Sequence, residues 1–210
     1  MSGKQLSIAF DNSLLAEFTS ATTLVAGVDE VGRGSLFGSV VAATVAVPLS
    51  HIPQLIEIGV KDSKKLSARK RQELVPLIRE IATDCCLSFA SAAEIDEFNI
   101  LQASLLAMKR SVLQLKVPPD ICLVDGKFSI PNLSLAQKTL IKGDARSPVI
   151  AAASILAKVW RDEHIIALAE QYPEYDLAAN KGYPTAAHLR AIQKYGISPE
   201  HRRSFKSCRD

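Results

Sequence analysis

Two short apolar runs, far apart in a chain of 210 residues, end in the same way. Residues 24–28 (Leu-Val-Ala-Gly-Val) lead into Asp29 and Glu30 and then a glycine-rich turn, while Ile121-Cys122-Leu123-Val124 leads into Asp125 and Gly126. Apolar runs of this length, closed by an acid and a glycine, predict strands buried in a sheet. In an open α/β sheet the carboxyl ends of neighbouring parallel strands are where ligands bind. If these two strands are neighbours, Asp29 and Asp125 come within range of a shared metal ion. A lone Asp-Gly is an ordinary turn; two such endings together constrain the architecture.

The remaining pattern supplies a sheet and its cover. Residues 39–47, rich in valine and alanine, form a strand that leaves the glycine turn and pairs with the first. Residues 85–91 and 135–141 predict two more. Ser67 caps a helix to about Thr83 on the spacing of Leu74, Leu77, Ile78 and Ile81, with Pro76 expected to kink or restart it. Leu101, Leu105, Met108, Val112 and Leu115 give a strongly amphipathic helix stopped by Pro118-Pro119. Ser147 and Pro148 open an alanine-rich helix to about Ala169, and a last helix runs from Thr185 to Tyr195, closed by Gly196. The expected fold class is α/β, a mixed sheet with helices on both faces.

Composition excludes several classes. With 48% hydrophobic and 22% charged residues the chain is not disordered. Its longest apolar run, residues 40–49, is about half the ~20 residues of a membrane-spanning helix. The polar first twenty residues show no secretory pattern, so a cytoplasmic protein with no membrane partner is expected. Cys85, Cys86, Cys122 and Cys208 form no C-x-x-C pair and read as small buried hydrophobes, not as a zinc site or disulfide frame. The net charge of +3 is small but uneven: residues 61–80 hold seven basic and three acidic side chains, and residues 201–209 add Arg202, Arg203, Lys206 and Arg209 without an acid. Such clusters suit either phosphate contacts or a solvated surface.

Asp29, Glu30, Asp125 and Asp144 stand where strands end or helices begin. Like charges a few Å apart raise one another's pKa, and hard divalent ions that favour oxygen ligands, Mg²⁺ or Mn²⁺, relieve this. Two such ions about 3.5–4 Å apart suit an in-line phosphoryl displacement. Gly32-Arg33-Gly34 follows the first acidic pair. A dinucleotide fingerprint would open a helix, whereas here the third glycine is Gly38 and a valine-rich strand follows. The turn instead allows close backbone approach to a ligand, with an arginine fork between the glycines.

The segment Gly27-Val-Asp-Glu-Val-Gly-Arg-Gly34 closely resembles the opening motif of ribonuclease HII. The likeness continues, in the family's order, through Asp62-Ser-Lys-Lys-Leu-Ser67, Val124-Asp125-Gly126, Lys142-Gly-Asp144, Ala151-Ala-Ala-Ser-Ile-Leu-Ala-Lys158, Asn180-Lys-Gly-Tyr-Pro-Thr185 and His201-Arg-Arg-Ser-Phe205. It implies a ribonuclease H-like five-stranded mixed sheet flanked by helices, with a helical C-terminal part. Residues 1–23 would form an N-terminal extension and 24–210 the catalytic domain, its helical region starting near residue 170. The implied activity is endonucleolytic cleavage of RNA paired to DNA and of single ribonucleotides in duplex DNA, leaving 3′-hydroxyl and 5′-phosphate ends. By motif match Asp29, Glu30, Asp125 and Asp144 become catalytic metal ligands for two Mg²⁺ or Mn²⁺ ions. Gly32, Arg33 and Gly34 become the element that senses the ribose 2′-hydroxyl, the group that tells RNA from DNA, and Tyr183 packs on the neighbouring sugar.

The likeness places Lys64, Lys181 and Arg202 near phosphates. Ser35, Phe37 and Ser39 stand where many members carry proline and small residues, so changed packing of the turn is expected. Arg33, together with the short N-terminus, favours this family over the related ribonuclease HIII. A monomer is expected, without a sliding-clamp docking box. Trp160 and Met108 read as core, Ser154 as a close helix contact and His188 as structural. Two rivals are a non-catalytic nucleic-acid-binding module and an integrase- or resolvase-type nuclease. All four acids are present, against the first, and a 2′-hydroxyl sensor has no use in the second.

Overall fold

In a computed structural model, residue 15 and residues 20–209 are described. Five strands form one sheet: β1 (Leu24–Val31), β2 (Val40–Pro48), β3 (Asp84–Ala90), β4 (Ile121–Asp125) and β5 (Ala136–Leu140), ordered β3-β2-β1-β4-β5. β1 pairs antiparallel with β2 across the glycine turn, and β2 antiparallel with β3. β1 and β4 are parallel neighbours, in register from Val25 opposite Ile121 to Val28 opposite Val124, and β5 lies parallel to β4. The mixed sheet is therefore as expected, and the two acid-tipped strands lie side by side.

The helices are α1 (Ile52–Glu57), α2 (Ala68–Ile81), α3 (Ala92–Leu113), α4 (Pro148–Leu168), α5 (Leu177–Asn180) and α6 (Ala186–Tyr195). Strand alternation sends Val25, Ile121 and Leu123 to one face, beneath α1, α2 and α4, and Ala26, Val28, Cys122 and Val124 to the other, beneath α3. A third, smaller cluster joins Phe37 to Ile165, Tyr175, Leu177 and Ala191 and seats the helical C-terminal region. Phe37 is fully buried there, edge-on to Tyr172 and His201 with ring centroids 5.3 and 5.1 Å away. Of the expected extension only residue 15 and residues 20–23 are described; Leu15 is buried against the first cluster.

Several local expectations need correction. β1 runs one residue past the acids that were expected to end it, to Val31, with Asp29 and Glu30 paired to Ala43 and Ala42. α2 does not restart at Pro76, because Leu74 and Ile78 on either side are both buried. α3 begins earlier than expected, on a capping box in which Ser91 accepts from Glu94 N–H and Glu94 from Ser91 N–H. It is broken at Asn99 (φ 68°), whose side chain accepts from the amides of Leu101 and Gln102 at 3.0 and 3.2 Å. Trp160 is not core: it is half-buried and stacks on His164 with centroids 5.0 Å apart. Cys85 and Cys86 are also only half-buried, since β3 is an edge strand, while Cys122 and Cys208 are buried.

Candidate active site

The period of two places Asp29 on the α4 face of β1, Glu30 on the opposite face and Asp125 on the α4 face of β4. One carboxylate oxygen from each of the three lies within 4.8 Å of the others. Asp29 and Asp125 are thus close enough to share an ion.

Each acid is held by its own donor. Asp29 Oδ1 accepts from Glu30 N–H at 2.7 Å, and the Ser154 hydroxyl faces the same carboxylate and favours its charged form. Ser63 Oγ, 3.0 Å from Ser154 Oγ, extends this chain from the segment between α1 and α2. Asp125 Oδ1 accepts from Gly143 N–H at 2.6 Å. Glu30 Oε1 takes a 3.0 Å bond from Arg33, whereas its Oε2 is buried with no partner among the described residues. Asp144, in the 3₁₀ turn Gly143–Ala145, is bound by Lys64 Nζ at 2.9 Å. Three of the four expected acids therefore converge, and the fourth stands beside them in an ion pair.

The electrostatics are those of an unfinished site. Burial, then the charges of Glu30 and Asp125, pushes the Asp29 carboxyl well above the ordinary range. Burial likewise raises Glu30, against the pull of Arg33, and raises Asp125. A buried acceptor without a donor and three mutually repelling carboxylates on rigid strands are what a hard divalent cation needs. The residues fit such a group.

These acids floor a cleft of about 300 Å³ whose walls include Lys64, Ser154, Lys158 and Tyr183. Tyr183 is half-buried, with Lys158 Nζ and Arg161 Cζ each 5.6 Å from its ring centroid. Lys158, bound to Asp162 at 2.7 Å, joins Ser63 among cleft residues that residue-by-residue reasoning did not single out, and Ser154, read as a close helix contact, lines the cleft as well. The signal was present: Ser63, Ser154 and Lys158 all lie in the blocks that carry the family likeness. Lys181 Nζ turns back to the Ala178 carbonyl. Arg202 does not reach the surface: it is fully buried and donates to the carbonyls of Gly38 and Arg33 at 2.9 and 3.0 Å. A direct phosphate contact is excluded for it by that burial.

Glycines hold the arrangement at two points. A Cβ on Gly27 would lie 2.3 Å from the Val149 carbonyl carbon, so glycine lets the start of α4 lie against β1 and sets Ser154 over Asp29. At Gly32 (φ +92°) a Cβ would lie 2.2 Å from Arg161 Nε. Gly34 is exposed, with nothing within 4 Å of a built Cβ.

A mixed sheet in this order, with a carboxylate cluster across the ends of its two central parallel strands, defines a metal-dependent hydrolase of ribonuclease H-like fold. Residues 26–208 match the family model for Ribonuclease HII. The chain is 54% identical to a ribonuclease HII of Trichormus variabilis, over 91% of this chain and 85% of that one. It is 56% identical to the one of Trichodesmium erythraeum, over 88% of each. Among solved structures it resembles the ribonuclease H2 of Pyrococcus horikoshii, with a TM-score of 0.75 and 29% identity over 89% of this chain and 95% of that one. The chain belongs to the ribonuclease HII family, metal-dependent endoribonucleases that act on RNA–DNA hybrids.

Proposed function

We propose that the protein cuts both RNA–DNA hybrids and single ribonucleotides embedded in duplex DNA, leaving 3′-hydroxyl and 5′-phosphate ends, as a cytoplasmic monomer. Asp29, Glu30 and Asp125 would hold two divalent ions, Mg²⁺ or Mn²⁺, with Asp144 at their edge. When bound, the ions supply Lewis acidity at the attacking water and neutralise charge at the departing 3′-oxygen. The observation that carries this reading is the convergence of three carboxylates from two strands within 4.8 Å, one with an orphaned buried oxygen.

The chain's own groups prepare the site. Glu30 N–H and Gly143 N–H fix Asp29 and Asp125 as acceptors before anything binds, which reduces reorganisation during the reaction. Lys64, with its side chain 80% exposed, can exchange Asp144 for a phosphate oxygen. Lys181, beside the cleft, would meet the backbone further along. Gly32, Arg33 and Gly34 would read the 2′-hydroxyl, and Tyr183 would pack on the adjoining sugar. The openness around Gly34 supports this: the chain's own packing does not require glycine there, whereas close approach of a ligand does.

The test is incubation with duplex DNA holding one ribonucleotide, with and without Mn²⁺, followed by analysis of the ends. Cation-dependent cleavage at the ribonucleotide, with the stated ends, is expected. Equal cutting of the all-DNA duplex would end this reading.

A further inference from the structure

Arg161, in α4, and Arg202, beyond α6, are both fully buried, and neither has a carboxylate within ion-pair distance among the described residues. A buried guanidinium without an acid is costly unless its donors are satisfied. Here main-chain carbonyls take the acid's place. Arg161 donates through Nε to Ser39 at 3.1 Å, through Nη1 to Lys181 at 3.0 Å and through Nη2 to Phe37 at 3.1 Å. Arg202 donates through Nε to Gly38 at 2.9 Å and through Nη1 to Arg33 at 3.0 Å, while its buried Nη2 has no partner among the described residues. All five acceptors lie in two segments, the glycine turn with its exit into β2 and the loop that carries Tyr183.

The consequence for the turn is directional. In a trans peptide the carbonyl and the following N–H point opposite ways, and no cis bond is present among the described residues. With the Arg33 carbonyl drawn inward to Arg202, the Gly34 N–H is turned outward, and among the described residues it has no acceptor. Arg161 fills the space under Gly32 and also lies against the Tyr183 ring. Between the two segments, Leu36 N–H donates to the Gly182 carbonyl at 2.8 Å. The outward amide and the aromatic ring are thereby held from beneath by one buried cationic pair.

We infer that Arg161 and Arg202 are positioning residues for ribose recognition, fixing the gap between the Gly34 amide and the Tyr183 ring and with it the preference for a ribonucleotide over a deoxyribonucleotide. This deepens the function proposed above and rests on it. Lysine keeps the charge but lacks the planar fork that spans several carbonyls, so Arg161→Lys and Arg202→Lys are the informative variants.

The experiment compares affinity for duplex DNA with one ribonucleotide and for the same all-DNA duplex, by fluorescence anisotropy in an uncut Asp29→Asn background. Wild-type positions 161 and 202 should favour the ribonucleotide duplex. Each lysine variant should lose at least tenfold of that ratio while all-DNA affinity stays within twofold. With Asp29 intact, the Mn²⁺-induced rise in melting temperature should be unchanged, a result that general loosening of the fold would not give. Folded lysine variants that discriminate as the parent does overturn the inference and leave the proposed function standing. A parent that binds both duplexes alike removes the proposed function, and the inference with it. Should neither variant fold, amide exchange and chemical shifts in the parent decide: Gly34 N–H must exchange fast when free and shift with the ribonucleotide duplex alone. A protected or unresponsive Gly34 amide overturns the inference.

Discussion

Lys64 Nζ sits 2.9 Å from Asp144 Oδ2, linking the basic segment before α2 to the acidic end of the sheet across 80 residues of sequence. The lysine side chain is 80% exposed, so the pair adds little to stability. Its value lies in holding a cation beside the site where a phosphate would enter. For Lys64→Ala we expect a stability change below about 1 kcal/mol. The slope of log affinity for hybrid against log salt should fall by about 1. Titrations at several salt concentrations check this, and an unchanged slope would remove Lys64 from the phosphate contacts.

Asp29 separates function from stability. Its carboxyl is forced upward by burial and by Glu30 and Asp125, so ionising it strains the folded chain. Sign follows from linkage: the folded state binds protons more tightly than the unfolded one, so this group's contribution falls as pH rises above the ordinary carboxylate range. Asp29→Asn removes the strain yet keeps an oxygen to accept from Glu30 N–H. At pH 8 without divalent ions, we expect the variant to melt a few degrees higher, about 2–4 °C per kcal/mol gained. Cleavage should drop by at least about a thousandfold, as for loss of a principal electrostatic element, and hybrid binding should persist. Near-normal turnover would refute the metal assignment.

Much of this centre was legible because strand periodicity and motif spacing are local properties. Apolar runs closed by Asp29-Glu30 and Asp125-Gly126 foretold both strands, and Ser67, Ser147 and Thr185 marked three helix starts that the structure confirms as caps. The break at Asn99 was hidden because the apolar spacing from Leu101 onward is continuous with an acceptable helix. The Ser91–Glu94 box upstream carried a readable signal that apolar periodicity alone does not use. Arg202 misled for a different reason. A guanidinium is ordinarily exposed, and the carbonyl cage that buries it comes from chain about 165 positions away, as its bonds to Arg33 and Gly38 show. No local pattern encodes that.

His188 and His201 form a buried pair whose protons the contacts assign. Ser198 N–H donates to His201 Nδ1 at 3.0 Å, so Nε2 carries the His201 proton and donates it to His188 Nε2 at 3.1 Å. His188 Nδ1–H then donates to the Tyr183 carbonyl at 3.0 Å. Burial, then His188, pushes His201 down to about 4, and burial lowers His188 as well. Because the unfolded chain binds protons more readily, this pair's contribution is full above about pH 6.5 and is lost as pH falls toward about 4, on the order of 2 kcal/mol for His201. Imidazole ¹⁵N spectra at pH 5 should show His201 neutral with hydrogen on Nε2. An imidazolium signal there would contradict the assignment.

Gly27 is required by packing. Its missing Cβ would lie 2.3 Å from the Val149 carbonyl carbon and 2.5 Å from the Ile150 nitrogen, both main-chain atoms that cannot step aside. Gly27→Ala should therefore lift α4 from β1 and cost about 3 kcal/mol or more. Because Ser154 lies further along the same helix, the loss should also loosen Asp29. Thermal melts check the first effect, and a weaker Mn²⁺-induced shift in the folded fraction checks the second. Wild-type stability would show that the helix can yield there.

Gly32 and Gly34 flank Arg33, and the structure predicts opposite outcomes for the same substitution. At Gly32 a Cβ meets Arg161 Nε at 2.2 Å, on a backbone with φ +92° that side chains resist, so both packing and conformation are violated. Gly32→Ala should destabilise by about 2–4 kcal/mol and lose activity through the fold. At Gly34 a Cβ meets nothing within 4 Å and no positive φ is involved, so Gly34→Ala should melt within about 0.5 kcal/mol of wild type. If the turn reads the 2′-hydroxyl through its main chain, that methyl group stands where the ribose must come. Cleavage at an embedded ribonucleotide should then fall by about tenfold or more, each tenfold being ~1.4 kcal/mol of lost transition-state binding. Parallel melting curves and single-ribonucleotide assays on the two variants separate the roles. Full activity with full stability in Gly34→Ala would mean that the substrate does not approach this turn.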